Sequence, residues 1–302
     1  MINPELVEYG GNLILYEEFG RILDDKGGKI ALLNNSVTQN IIKLDCGTSY
    51  SASKLAHIAG KIANKYPHKS ANFIKNLLLI GAGYPYEPNK DFYETNDNKK
   101  AKIEHLKICG YGLSNYDKGI NSYKNRAVLW DENSIGINQI KIYSLKLPEI
   151  FFSEKGRKTI TVTLTFNPET RSTRGDSYLG NRMEFHVFHS INPIVLTEKY
   201  GIISNAEKVN VPEDLKKFEI QFFPGPNTRN PGCHQKAWRI FKQGPKKIIS
   251  STISLVLLNI NKWIADKNRK QDYCISVIFE HEKEIELYNE IRANIKMRQR
   301  VR

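Results

Sequence analysis

Apolar residues recur along this chain with two different periods, and the period changes near residue 135. Before that point they lie three or four positions apart between residues 47 and 66, which predicts an amphipathic helix that Pro67 ends. A second helix is predicted to start after Ser70, which can cap its first turn, and to stop near Gly81 and Gly83. The predicted buried positions of the two helices are Leu55, Ile58, Ala59, Ile62, Ala63, Phe73, Ile74, Leu77 and Leu78.

After residue 135 the period is two, as expected of β-strands. The run Lys158–Phe166 places large apolar side chains on one face and threonines on the other, which predicts a half-buried antiparallel strand. Similar runs occur at 140–147, 183–188, 218–222, 238–241, 253–258 and 273–279. Several such strands separated by turn residues predict a β-sandwich. The segment 284–298 fits either a final helix or a last strand.

The other segments before residue 135 predict short elements and loops. Residues 1–45 have the pattern of short strands and turns, broken at Gly10-Gly11 and at Gly27-Gly28. The polar segment 84–104 predicts a surface loop, and residues 108–112 predict a tight, glycine-rich return. Together these patterns divide the chain into a helix-containing domain over 1–130 and an antiparallel β-sandwich domain over 135–302.

Length and composition set broad limits. The 302 residues, of which 40% are hydrophobic, can bury a full core. No stretch reaches the ~18–20 apolar residues that a membrane helix needs, and no signal peptide is visible at the start. The four cysteines are scattered, without a CxxC pair, which favours reduced thiols in a cytoplasmic protein over disulfides or structural zinc.

The formal net charge of +13 raises the question of nucleic-acid binding. Lysine is spread along the whole chain together with asparagine and isoleucine, which is typical of a compositional bias. The densest basic segment, 292–302, is expected to be a solvated end. Nucleic acid is therefore ranked last among the predicted partners.

The feature that points most directly to chemistry is the run Gly47-Thr48-Ser49, which opens the first predicted helix. The first amides of a helix have no partner inside the helix and carry part of its positive dipole end. A serine held there can present its hydroxyl beside donors that would stabilise an oxyanion. Ser49 is therefore the candidate nucleophile, with Gly47 and Thr48 forming the turn beside it.

Three segments in this order give the chain its resemblance to a known family. Residues 3–12 resemble the "KPDVVAPG" strand that precedes the nucleophile of subtilisin-like serine peptidases, and residues 47–53, GTSYSAS, resemble that family's GTSxAxP signature. Gly110-Tyr111-Gly112 resembles the stretch that closes its catalytic domain. The resemblance covers about the first 125 residues. Ser53 stands where the family usually has proline, and Cys46 where it often has asparagine.

This resemblance implies an α/β fold, the C-terminal third of a subtilisin-like catalytic domain, followed by an all-β sandwich. It implies Ser49 as the nucleophile of an endopeptidase acting on peptide or protein substrates, without a cofactor. The family's aspartate, histidine and oxyanion asparagine would lie upstream of Met1, so the chain alone is expected to be inactive. The missing N-terminal half of the catalytic domain is then an expected partner. Some intracellular members are encoded beside an ATPase, and no residue here argues for or against that partner.

Local residues are poor substitutes for the missing base. His57 lies eight residues beyond Ser49 on the same helix, about 12 Å along its axis, whereas a base must come within ~2.6–3.2 Å. His68 lies farther away, and His186 and His189 fall on a sandwich strand. Asp45 is expected to serve in a turn or a cap. No calcium-ligand run occurs, and no metal is predicted.

Two alternatives stay open at this point. The chain could be a non-catalytic β-sandwich module that binds peptides or proteins at strand edges, with Ser49 as a relic. Nucleic-acid binding through the basic surface is the other. If the upstream half is absent, a large exposed apolar patch is predicted on residues 49–80, where the missing sheet would pack.

Overall fold

The computed structural model describes residues 2–36, 38, 40–86, 97–173, 178–201, 211–242 and 251–299. In this part of the chain the strands are β1 (Ile14–Tyr16), β2 (Arg21–Leu23), β3 (Ile30–Leu33), β4 (Ile42–Asp45), β5 (Arg126–Gly136), β6 (Ile140–Lys146), β7 (Lys158–Phe166), β8 (Asn181–His189), β9 (His234–Phe241), β10 (Thr252–Asn261) and β11 (Lys270–His281). The helices are α1 (Thr48–Lys65), α2 (Ala71–Ile80), α3 (Asn98–Cys109), α4 (Tyr116–Ile120), α5 (Glu149–Ser153), α6 (Pro193–Gly201), α7 (Pro226–Arg229) and α8 (Leu287–Gln299).

Two antiparallel sheets form the larger part of the molecule. One has the strand order β5-β11-β7-β9 and the other β6-β10-β8. Side chains from β7 and β11 pack with side chains from β8 and β10 in one continuous apolar core. The core members from these four strands are Ile160, Val162, Leu164, Phe166, Met183, Phe185, Val187, Ile253, Leu255, Leu257, Tyr273, Ile275 and Phe279. A sheet-rich, antiparallel second part is thus confirmed.

Most individual strand predictions are also confirmed; one predicted strand is absent among the described residues, and one strand was not predicted. The segment 218–222 is not a regular strand, because it forms only an isolated bridge between Glu219 and Phe188 after a short 3-10 turn. β5 was not anticipated, since its sequence carries Asp131, Glu132, Asn133 and Ser134 between its apolar residues. It also spans the predicted boundary between residues 130 and 135.

The prediction that β7 is half-buried is wrong. α2 covers its threonine face at Thr163 and Thr165, which are buried as fully as the apolar residues opposite, while Thr161 keeps 9% of its surface exposed. Asn76 of α2 mediates this contact: its side-chain oxygen accepts a 2.8 Å hydrogen bond from Thr163, and its amide donates at 2.8 Å to the carbonyl of Cys274. A polar strand face can be buried when each hydroxyl finds a partner there.

Both predicted helices near the start of the chain are confirmed. α1 begins after Gly47 and ends before Pro67, and the hydroxyl of Ser70 accepts a hydrogen bond from the amide of Phe73 as the N-cap of α2. α2 packs on the four-stranded sheet, and the apolar stripe of α1 packs on α2. Cys274 and Ile278 of β11 belong to this same cluster, so residues of the two predicted domains share a core.

The predicted apolar patch on residues 49–80 is wrong, because α2 is buried against the sheet of this same chain. The exposed apolar surface lies earlier. Of the nineteen large hydrophobic side chains exposed among the described residues, eleven belong to residues 9–44, and none to residues 49–80. They are Tyr9, Leu13, Leu15, Tyr16, Phe19, Ile22, Leu23, Leu33, Ile41, Ile42 and Leu44. We call this set the hairpin surface, since most of it belongs to the β1–β2 and β3–β4 hairpins.

The C-terminal segment, the polar segment 84–104, the cysteines and the search for membrane helices complete the comparison with the sequence. The segment 284–298 is largely helical, as α8. The prediction of a loop over 84–104 is wrong for residues 98–104, which begin α3 because the Asp97 side chain caps a helix there; residues 87–96 lie outside the described residues. All four cysteines have free thiols. No helix in the described part of the chain combines the length and the hydropathy needed to cross a membrane.

Candidate active site at the N-terminus of helix α1

Ser49 lies in the first turn of α1, directly after the short connection from β4. The amide of Gly47 donates a 2.8 Å hydrogen bond to the carbonyl of Gly10, which anchors this connection to the first segment of the chain. A Cβ atom at Gly10 would lie 2.4 Å from the Gly47 carbonyl oxygen and 2.3 Å from the Ser51 hydroxyl. The two segments therefore cross so closely that only glycine fits at position 10.

Asp45 stabilises the same connection from its other side. Its carboxylate accepts a 2.8 Å hydrogen bond from the Tyr50 hydroxyl and a 2.9 Å hydrogen bond from the Cys46 amide. The Tyr50 hydrogen bond, followed by those from Cys46 and Lys43, lowers the pKa of the Asp45 carboxyl below its ordinary value. The predicted turn role of Asp45 is confirmed.

Ser49, the candidate nucleophile, lies at the N-terminal end of α1. Thr48 and Ser49 are exposed, and within the described residues their backbone amides make no hydrogen bond. Gly47, the N-cap residue, has no side chain that could satisfy them. Since α1 is 18 residues long, these amides form the positive end of a full helix dipole. The geometry leaves donors free for an anionic oxygen beside the Ser49 hydroxyl.

Ser53, which departs from the family signature, is accommodated without strain on the turn. Its hydroxyl donates a 3.0 Å hydrogen bond to the Ser49 carbonyl, one helical turn back. This is the common bonding of a serine to the preceding turn of its own helix. The hydrogen bond orders the backbone of Ser49 and leaves its hydroxyl free.

No base within the described residues reaches Ser49. All seven histidines are described, and none hydrogen-bonds to it. His57 and His68 are exposed, on α1 and beyond its end. His186 is buried and its Nδ1 donates a 2.8 Å hydrogen bond to the Glu219 carboxylate, while His189 contacts its neighbour Ser190 at 3.1 Å. Gly47, Thr48 and Ser49 follow one another at the start of α1, and no described residue of the second part of the chain hydrogen-bonds to them.

The three segments that carry the family resemblance contact one another. Residues 5–7 of the first segment hydrogen-bond with the third, through the Tyr111 amide to the Glu5 carbonyl at 2.7 Å and the Val7 amide to the Gly112 carbonyl at 3.2 Å. Gly10, in the same first segment, contacts the second at Gly47. The segment 3–12 is therefore a bridge between the Gly47–Ser49 turn and the glycine-rich return.

One polar contact of this bridge was missed by the sequence analysis. The Glu5 carboxylate pairs with His234 Nδ1 of β9 at 3.1 Å, and this hydrogen bond is the main cause that lowers the pKa of Glu5. The pair joins the start of the chain to the four-stranded sheet. Because 229 positions separate the two residues, no local pattern indicates the contact.

Comparisons with known proteins give one relative and no family. No protein-family model matches the chain. The chain is 28% identical over 296 residues to a protein of Sinorhizobium fredii (strain NBRC 101917 / NGR234) described as "Uncharacterized protein y4bN". The match spans 97% of this chain and 67% of the relative, so about a third of the relative lies outside it. The helical part and the sheet part of this chain therefore occur together in the relative.

Proposed function

We propose that this chain carries the nucleophile-bearing part of a subtilisin-like serine endopeptidase, with Ser49 as the nucleophile. The observation that carries the proposal is the exposed Ser49 at the open N-terminus of α1, beside the unpartnered amides of Thr48 and Ser49. The mutual contacts of the three family-like segments support it, since these are the segments that the resemblance would place at one active site.

In this proposal the chemistry is acyl transfer. The Ser49 hydroxyl oxygen attacks the scissile carbonyl and passes its proton to an imidazole supplied from outside the described residues. The carbonyl oxygen becomes an oxyanion that accepts from the Ser49 amide. The amine leaves with the proton from the imidazole, and water then hydrolyses the acyl-enzyme by the same route.

The exposed apolar side chains of the hairpin surface support the proposal that the imidazole comes from a further polypeptide segment. Two-stranded hairpins are at best marginally stable in water, and eleven exposed large hydrophobic side chains on one segment are more than isolated surface residues explain. This surface is adjacent in the chain to the nucleophile, because β4 leads directly to Asp45 and α1. We infer that a further polypeptide packs on it and brings the base to Ser49.

An active-site probe tests the proposal. The DNA preceding the first codon, read in the same frame, should encode an "HGT"-like histidine and a "DTG"-like aspartate. The longer chain is expected to react with a fluorophosphonate at Ser49 and to cleave casein, and its Ser49→Ala variant to do neither. Removing the serine of such a triad lowers turnover by about 10⁶. A matched Ser53→Ala variant should keep labelling, because its hydroxyl bonds only the Ser49 carbonyl.

A second candidate function is favoured by a specific observation. None of the seven histidines, all of them described residues, hydrogen-bonds to Ser49, which fits a non-catalytic module that binds peptides or proteins, with a relic nucleophile. Absence of labelling in the longer, folded chain, together with binding of peptides that the Ser49→Ala variant retains, would replace the peptidase proposal with this one.

A further inference from the structure

A cleft on the outer face of the four-stranded sheet has no part in the chemistry at Ser49. It consists of two adjoining cavities of about 580 and 400 Å³, at the C-terminal end of α2. Both are lined by Ala82, Gly83, Arg157, Thr159, Thr161 and Lys236, so they form one continuous space. Cavities of roughly 300–1,000 Å³ are typical of small-molecule sites.

One half of the cleft is aromatic. Tyr84, Tyr86, Phe223 and Trp238 line the smaller cavity. The rings of Phe223 and Trp238 contact edge to face, with centroids 5.3 Å apart, and Trp238 is only half-buried. Its remaining ring surface is available to a planar group, and stacking of a nucleobase on an aromatic side chain contributes about 1–3 kcal/mol.

The other half of the cleft is basic. Lys118, Arg126 and Arg157 line the larger cavity together with the shared Lys236. Two carboxylates also lie there: Glu280 is 3.6 Å from Arg126 Nε, and Glu282 accepts from the backbone amide of Arg157 at 2.7 Å. Within the described residues the charged groups of Lys118 and Arg157, both exposed, have no partner.

The cations of the cleft repel one another. Lys236 is fully buried, and burial, with smaller contributions from Arg126 and Lys118, lowers its pKa to about 7. The Lys236 ammonium donates to the carbonyls of Leu79 and Ala82 at the end of α2, so it is fixed in place. An anion in the larger cavity would relieve this repulsion, since it would lie close to all three groups.

We propose that this cleft binds a mononucleotide, with the base against Trp238 in the aromatic half and the phosphates beside Arg157 and Lys118 in the basic half. An aromatic half and a basic half in one space of this size match the two ends of that ligand. The inference does not depend on Ser49, so the result of its test is independent of the result for the peptidase proposal.

Titration of the full chain with ATP, followed by tryptophan fluorescence, tests the site. ATP is expected to quench Trp238 saturably, and the Trp238→Phe variant should lose the quenching while Trp130 and Trp263 remain. Adenosine and tripolyphosphate are each expected to bind at least tenfold more weakly than ATP, because each fills one half of the cleft.

Two variants distinguish ATP binding in this cleft from non-specific attraction of ATP to the positive charge of the chain. Arg157→Ala should weaken ATP binding at least fivefold, whereas Lys267→Ala, which removes an exposed charge elsewhere, should leave it unchanged. Both side chains are exposed, so both variants are expected to fold, and circular dichroism checks this. The proposal is overturned if ATP does not bind, if tripolyphosphate or adenosine binds as tightly as ATP, or if a 20-nucleotide single strand binds much more tightly than ATP.

Discussion

The Tyr50 hydroxyl donates a 2.8 Å hydrogen bond to the Asp45 carboxylate across the turn that presents Ser49. The two residues lie on opposite sides of Gly47, one at the end of β4 and the other in the first turn of α1. Their contact therefore closes the connection between a strand and a helix. The position of Ser49 is therefore fixed by this hydrogen bond across the turn as well as by the backbone of α1.

Removing the Tyr50 hydroxyl should raise the pKa of Asp45 toward its ordinary value, because that hydrogen bond is the largest cause of the lowered pKa. The stability that Asp45 contributes is present above the pKa of the unfolded chain and is lost as pH falls through the lower folded pKa. Tyr50→Phe should therefore reduce stability near neutral pH and lose its effect in acid. Carboxyl NMR titration measures the shift, and Tyr9→Phe, at an exposed tyrosine, is the control. An unchanged Asp45 pKa in Tyr50→Phe would contradict the assignment.

The crossing at Gly10 gives a second prediction. Gly10→Ala should destabilise the chain by about 1–3 kcal/mol, because the new methyl group would overlap the backbone oxygen of Gly47. Gly60→Ala is the matched control: Gly60 lies within α1 with nothing within 4 Å of its would-be Cβ, so alanine should stabilise by about 1 kcal/mol. Urea unfolding of the two variants measures both effects. Equal stability of Gly10→Ala and the parent chain would mean that the two segments do not cross as described.

The hairpin surface makes a third prediction. The double variant Leu33→Lys/Ile41→Lys should leave the stability of the isolated chain unchanged, since these side chains are 82% and 71% exposed. It should lower concentration-dependent self-association, measured by sedimentation velocity, because it removes apolar area from the inferred docking surface. Ile194→Lys, at an exposed apolar residue of α6, is the control and should change association little. A double variant that unfolds would show that these side chains support the fold of the chain itself.

Features with a local cause could be predicted from the sequence. The Ser70 cap, the Pro67 stop and the Ser49 turn each depend on residues within a few positions of one another, and each lies where it was expected. The candidate nucleophile was accessible to sequence reasoning for the same reason. Strand type and most strand positions followed from the period-two pattern, which is also local.

Features that depend on distant residues could not be predicted. The threonines of β7 look solvent-facing until α2, about 90 positions earlier, is placed over them. The Glu5–His234 pair and the cleft around Lys236 also join segments far apart in the chain. A single sequence gives no indication of which segments meet, so the covering of a polar face and the assembly of a cleft appear only in three dimensions.

The last prediction concerns the effect of Lys236 on how the free energy of unfolding depends on pH. Burial lowers its pKa to about 7, against an ordinary value of 10.5 that the unfolded chain retains. Between these values the unfolded chain holds a proton that the folded chain has released, so the Lys236 contribution makes stability rise with pH, by at most about 1.4 kcal/mol per unit. Below pH ~7 both states are protonated and the contribution is constant.

Lys236→Met should lack this rise, so subtracting its unfolding free energy from that of the parent should give a difference that increases from pH 7 to 10. Arg157→Lys, which keeps the exposed charge of the cleft, should follow the parent. Parallel profiles for the parent and Lys236→Met would mean that the carbonyls at the end of α2 keep the ammonium charged despite its burial.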